Sequence, residues 1–256
     1  MTIRLLKHII RDLLRTRFVL VYFLLLLVGS LLLFGIESDS GKVMVSQLNI
    51  VLMVVPLVSV VYSTIHFHNA YDFISLMVTQ PIRRQIVFIA EFLAVGLSLS
   101  LAFILGIGIP MLVYQVIEQG LLLLLAGTFL TLVFTALAFV VSVFTADKAR
   151  AIGLALLFWF WFSVLYDGLL MLILYWLSDY PVEQLIVGLI SLNPIDLARI
   201  TVLLKLDYAA LMGYTSAFYR DFFGGTSGII FSLTILSVWL AIPLWISLKI
   251  FERKDL

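Results

Sequence analysis

Two carboxylates stand where hydrocarbon would surround them. Glu91 opens into the apolar run that follows Gln85, and Asp167 sits in Tyr166-Asp167-Gly168, just after the aromatic cluster Trp159-Phe160-Trp161-Phe162. A charge inside a bilayer is disfavoured by several kcal/mol, so such residues face protein or water, or reach an interface. Glu91 lies about two turns into its run, which predicts snorkelling or pairing with Arg83, Arg84 or Arg150. Asp167 lies deeper and is the candidate for lining a pathway. His66 and His68 alternate along the chain and, on a helix, point from different faces; they read as interfacial polar residues rather than as a metal pair.

The remaining chemistry is sparse. The chain has 0 Cys, which removes disulfides, thiolate catalysis and cysteine-based metal sites. No G-x-x-x-x-G-K-[ST] phosphate loop, H-E-x-x-H pair or G-x-S-x-G elbow occurs. No catalytic residue, metal ligand or cofactor is therefore assigned to the chain itself. Met44, Met111 and Met212 carry thioethers of the kind that hold copper(I), but they show no M-x-x-M clustering and read as packing residues.

The elements that must position these residues follow from hydropathy. The chain is 63% hydrophobic and 12% charged over 256 residues, so a bilayer rather than water is its main solvent. Long continuous apolar runs select helices over barrel strands, which would alternate. About 20 apolar residues cross the hydrocarbon. Six runs qualify, near 18–36, 48–65, 86–114, 121–145, 152–177 and 228–250. The fold class is all-α: one polytopic membrane domain covering 1–256.

Orientation follows from lysine and arginine. With the N-terminus cytoplasmic, that side collects Arg4, Lys7, Arg11, Arg15, Arg17, Arg83, Arg84, Lys148, Arg150, Lys249, Arg253 and Lys254, against Lys42, Arg199, Lys205 and Arg220 outside. This is a strong positive-inside bias, and it places both termini on the cytoplasmic face of the inner membrane. Residues 1–17 alternate apolar and basic positions at helical spacing and read as an interfacial amphipathic helix. Residues 66–85 read as a compact cytoplasmic knob: a short helix, a break at Pro81 and a restart. Residues 178–227 read as an extracytoplasmic cap of helices lying on the membrane surface, broken at Asn193-Pro194. Tyr114, Tyr175, Trp176 and Tyr180 are placed in the outer aromatic belt.

Taken together, the six spans, amphipathic N-terminal helix, cytoplasmic knob and basic C-terminal end resemble the ABC-2 class of ABC transporter permeases. The local match is Asp72-Phe73-Ile74-Ser75-Leu76-Met77-Val78-Thr79-Gln80-Pro81-Ile82-Arg83-Arg84, which looks like that class's coupling-helix region. The end Phe251-Glu252-Arg253-Lys254-Asp255-Leu256 looks similar too. Outside, Leu192-Asn193-Pro194-Ile195-Asp196-Leu197-Ala198-Arg199-Ile200 and Leu211-Met212-Gly213-Tyr214-Thr215-Ser216-Ala217-Phe218 resemble the permease subunits of nitrous oxide reductase maturation transporters.

The resemblance implies a homodimeric permease in the lipid bilayer, with no nucleic-acid partner. It implies a separate cytoplasmic ABC ATPase that binds ATP and Mg, and a periplasmic copper-processing subunit. The complex would support assembly of the copper-sulfur centre of nitrous oxide reductase. Tyr71, Asp72, Phe73, Leu76, Arg83 and Arg84 would then contact the ATPase. Asn193, Pro194, Asp196, Arg199, Met212 and Tyr214 would contact the periplasmic partner. Read from the residues alone, Asn-Pro is also a simple helix break, and Asp196 with Arg199 an intrahelical i,i+3 pair. Two other functions stay open: an ABC-2 exporter of a lipid, glycan or small molecule, and an ATPase-independent carrier or intramembrane enzyme using Asp167 and Glu91.

Overall fold

The computed structural model describes residues 13, 16–78, 83–177, 183–205 and 226–253. The expected N-terminal amphipathic helix, the break at Pro81, the segment carrying Met212 and Tyr214, and residues 254–256 lie outside the described residues, as does the side chain of Asp72.

All the described elements are helical: α1 (Arg17–Ile36), α2 (Ser40–Asn69), α3 (Tyr71–Val78), α4 (Arg84–Val113), α5 (Ile117–Phe144), α6 (Lys148–Trp176), α7 (Glu183–Ser191), α8 (Pro194–Lys205) and α9 (Thr226–Arg253). Six of them, α1, α2, α4, α5, α6 and α9, are long and apolar enough to cross a membrane. The six alternate in direction, the knob and the α7–α8 segment included as connections, so Arg17, Arg83, Arg84, Lys148, Arg150, Lys249 and Arg253 gather at one end, called here the basic end.

Helix α5 is the hub, packed against α2, α4, α8 and α9; α1 lies along α4, and α6 lies along α2. Lipid tails are as apolar as leucine, so association within a bilayer depends on close packing rather than on escape from water. The sequence supplies small residues for it. At Gly127 a β-carbon would clash with the edge of the Phe103 ring, and at Gly106 it would lie 2.9 Å from the Leu26 β-carbon and 3.2 Å from the Phe23 carbonyl. These contacts draw α5 against α4 and α4 against α1.

Caps fix where helices begin and end. Asp39 accepts from the Gly41 amide at 2.9 Å and starts α2 eight residues ahead of the expected run at 48. The polar stretch is accommodated because Gln47 donates to Ser30 at 2.8 Å inside the α1–α2 interface. Between α4 and α5, Gln115 takes φ 58, with Gln115 N–H on Leu112 and Val116 N–H on Met111, the paired bonds of a Schellman stop. Met44 and Met111 are fully buried in the core, in keeping with packing.

One expected feature is corrected. The α7–α8 segment does not lie on the surface; it is a hairpin that dips into the bundle. Its tip, Ser191-Leu192-Asn193, reaches Phe162 and Trp239, each about midway along its own spanning helix. Backbone at that depth is tolerated only where protein satisfies it. Here Trp239 Nε1 donates to the Ser191 carbonyl at 2.9 Å, and Asn193 covers the rest. An uncharged tip and an asparagine able to donate and accept make the dip possible.

Candidate functional site

At the basic end, α3 is a short helix with two unlike faces. Ile74 is 1% exposed and Met77 is buried, three residues on, against α2 and α4, whereas Phe73 is 44% and Leu76 66% exposed, with Tyr71 also exposed. Arg83 is exposed at the start of α4, and Arg84 Nη1 donates to the Glu252 carbonyl at 3.3 Å, tying that start to the last turn of α9.

The platform under α3 is aromatic. Phe67 meets Phe139 edge-on at 5.2 Å, Phe88 meets Phe139 at 5.4 Å, and Phe88 meets Phe251 at 5.0 Å. Four helices, α2, α4, α5 and α9, are thereby locked together below the knob. Such ring pairs each add about 0.5–1.5 kcal/mol beyond their area. Beside the platform a cavity of about 310 Å³ is lined by Phe67, His68, Tyr71, Ser142, Thr145, Ala146 and Lys148. His68 bridges helix ends, its ring nitrogens lying 2.9 Å from the Thr64 carbonyl and 3.1 Å from the Thr145 carbonyl. Lys148 donates to Asn69 at 2.7 Å. In the adjoining turn Asp147 accepts from the Arg150 amide at 2.8 Å, and that bond holds its carboxyl below the ordinary aspartate value.

The expected partner of Glu91 is corrected. Glu91 is 3% exposed and pairs with His66, Nε2 to Oε2 3.0 Å, rather than with Arg83, Arg84 or Arg150. The last turn of α2 faces this stretch of α4, whereas Arg83 and Arg84 sit about two turns back at the start of α4 and Arg150 lies in the first turn of α6. His66 and His68 do project to different partners, as their spacing requires.

The second constellation joins residues that the sequence treats separately. Helix α6 contains one wide turn, Trp161–Leu165, in which Tyr166 N–H reaches back to the Trp161 carbonyl. Turns of this kind are rare and concentrate at functional positions. Asn193 Nδ2 donates to the Phe162 carbonyl in that turn at 2.9 Å and to Asp196 Oδ2 at 2.7 Å. Its Oδ1 accepts from the Ile195 amide at 3.0 Å and so caps α8. Arg199 Nη1 then donates both to Asp196 Oδ1 at 3.0 Å, the expected intrahelical pair, and to Asp167 Oδ2 on α6 at 2.8 Å. Tyr166 donates its hydroxyl to the Leu189 carbonyl on α7.

Asn193, Pro194 and Asp196 are buried, while Arg199 and Asp167 are about one-third exposed. Arg199 also lines a cavity of about 190 Å³ with Asn49, Leu52, Met53, Trp159, Ser163, Val164 and Ile195. Trp159 and Asn49 were invisible as site residues in the sequence. The only signal there was the aromatic density at 159–162 immediately before an intramembrane aspartate.

The described residues form a polytopic helical bundle with a short helix, apolar on its outer face, at one end and a polar, half-open cluster about midway along its helices. The chain belongs to the ABC-2 family of transporter proteins, whose model it matches over residues 74–256. It is 32% identical over 182 residues to the probable ABC transporter permease protein NosY of Pseudomonas aeruginosa, covering 66% of this chain and 62% of that protein. It is 28% identical over 192 residues to the probable ABC transporter permease protein NosY of Stutzerimonas stutzeri, covering 70% of this chain and 67% of that one. The match thus spans less than two thirds of the first relative's own length and about two thirds of the second's. The chain is thus a member of the ABC-2 transporter family with six helices, among the described residues, long and apolar enough to cross a membrane.

Proposed function

We propose that this permease supports maturation of the copper-sulfur centre of nitrous oxide reductase, as a homodimer in the inner membrane with its basic end in the cytoplasm. A cytoplasmic ATPase carrying ATP and Mg seats on α3, and a periplasmic copper-processing subunit seats on the opposite end, over α7, α8 and the segment containing Met212 and Tyr214. The observation that carries the coupling half is the outward apolar face of α3, Tyr71, Phe73 and Leu76, on a helix anchored by Ile74 and Met77 to α2 and α4, two of the four aromatically locked helices. Force applied to a short helix so anchored reaches the bundle directly. Arg83 and Arg84 stand at the start of α4 beside it, and Asp72 is assigned to the same contact by its place in the sequence. The support for the maturation half is the likeness to the two NosY permeases, together with the Asn193–Arg199 network that shapes the outer hairpin.

The periplasmic subunit reads the hairpin's shape more than its buried side chains. Asn193, Pro194 and Asp196 set the geometry from inside, and Arg199 stands half-open beside them. Asp167 belongs to the pathway through its bond to Arg199.

Phe73→Glu and Leu76→Glu test the coupling. Both side chains are exposed, so the bundle folds, and association with the ATPase weakens about ten-fold or more. Unchanged association removes α3 as the docking helix. A strain lacking the chain tests the cargo: nitrous oxide reductase should lack the absorption of its copper-sulfur centre until the wild-type permease is restored. Normal maturation without the chain would overturn that reading and leave an exporter of another compound.

A further inference from the structure

The buried apolar residues fall into two clusters rather than one. The larger runs through the bundle and includes the aromatic platform at the basic end. The smaller is built from Ile190, Leu197, Ile200 and Leu236, with Leu170 and Leu174 packed on it, so it joins the outer half of α6, the α7–α8 hairpin and the first half of α9. Phe129 of α5 packs against it from the bundle. Both spanning helices that supply this second cluster are weakened near the place where they pass from one cluster to the other. In α6 that place is the wide turn Trp161–Leu165: Ala155, Trp159 and Phe162 belong with the main core, Leu170 and Leu174 with the second. In α9 it is the turn closed by Pro243, which has no N–H to offer the Trp239 carbonyl; Leu244, Leu248 and Phe251 pack with the main core, Leu236 with the second. Wide turns and internal prolines are where helices bend.

The two weak turns meet at the hairpin tip. Asn193 Nδ2 donates to the Phe162 carbonyl at 2.9 Å, Trp239 Nε1 donates to the Ser191 carbonyl at 2.9 Å, and the Phe162 and Trp239 rings meet edge-on at 5.4 Å. We infer that this meeting point is a pivot, about which the outer half of α6, the hairpin and the outer half of α9 rock as one body against the rest of the bundle. Helix α8 is the bearing, with Leu197 and Ile200 in the second cluster and Ile195, Ala198 and Val202 in the main one. The outer half of α6 can follow, since none of its residues is buried. The cavity of about 190 Å³ lies across the same boundary, between Leu52 and Met53 of α2 and Ser163, Val164 and Arg199. Rocking therefore gates that cavity. Hinges of this kind concentrate the change in a few residues and leave the packed bodies intact.

Pulsed electron paramagnetic resonance on the whole permease in lipid nanodiscs tests this. The chain has 0 Cys, so introduced cysteines carry spin labels without background. One label is placed at Leu112, exposed at the outer end of α4; the second is placed either at Met171, exposed beyond the wide turn, or at Leu154, exposed before it. Labelled chains are diluted with unlabelled ones, so that each distance is measured within one chain. The distance distribution of Leu112→Cys with Met171→Cys should be clearly broader than that of Leu112→Cys with Leu154→Cys. Pro243→Ala returns an N–H to the Trp239 carbonyl, on a helix that carries neither label. It should narrow the Met171 distribution toward the width of the Leu154 one and leave the latter unchanged. Trp239→Phe keeps a ring against Phe162 but removes the donation to Ser191, and should broaden the Met171 distribution; that comparison decides by itself if Pro243→Ala fails to fold. Equal widths for the two wild-type pairs, or a Met171 distribution left unaltered by either substitution in folded protein, overturns the inference.

Discussion

Replacing Asn193 by alanine removes three bonds made by one fully buried side chain. The Ile195 amide loses its cap, an effect of about 1 kcal/mol. The Phe162 carbonyl, on a buried residue midway along α6, loses its side-chain donor, which costs about 1–3 kcal/mol. Asp196 loses a donor at 2.7 Å, for about 1.5–3 kcal/mol, since that acceptor shares a charge with Arg199. The three losses share one side chain and overlap, so the expected total is about 3–5 kcal/mol rather than their full sum. For a chain of this size that is a fall in midpoint of about 6–20 °C. The assay is unfolding of the purified permease in mixed micelles, read by circular dichroism, with limited proteolysis of the 178–227 region alongside. Asn193→Asp is the informative companion: it keeps the cap but loses both donations and adds a third carboxylate to the cluster, so it should fare worse than alanine. An alanine variant within about 1 kcal/mol of wild type would refute the reasoning and show that the hairpin is held by apolar contacts alone.

Gly127→Leu drives a side chain into the Phe103 ring at the α4–α5 contact and should cut folded yield severely, measured by size-exclusion chromatography of detergent extracts. Gln115→Gly relieves the left-handed residue that ends α4 and should raise stability by up to about 1 kcal/mol in the same unfolding assay. Asp147→Ala removes the cap of α6. Because the Asp147 carboxyl is held below its ordinary value, its contribution is present above that value and lost as pH falls through the folded one. The alanine variant should therefore differ from wild type near neutrality and converge with it in acid, as a pH series of thermal midpoints would show.

Much of the architecture was legible because twenty-residue apolar runs have few alternatives in a bilayer. Five of the six spans stand within about four residues of the runs, α2 starts eight residues early, and the basic residues gather at one end. The errors have physical causes. The start of α2 was missed because Lys42 and Gln47 look like loop residues until Gln47 finds Ser30. Glu91 was given arginine partners by proximity in sequence, whereas tertiary packing brings His66 to it. The hairpin was placed on the surface because hydropathy reports how apolar a short helix is, not how deep it sits. Depth is set by what satisfies its tip, here Trp239 and the wide turn at Trp161–Leu165, and neither pairing leaves a local pattern. For the same reason Asp167 and the Asp196–Arg199 pair were legible one by one but not as a single cluster.

Helix α5 meets the His68 bridge at its basic end through Thr145 and carries α8 along its middle. Any motion of the bundle driven from α3 is therefore shared with the helix against which the hairpin rests. Thermodynamics makes such sharing two-way. If seating an ATPase on α3 shifts the hairpin, then whatever grips the hairpin from the far side must change the affinity of that ATPase by the same factor. A ligand for one face of this molecule is thus measurable as an effector at the other, with no contact between them.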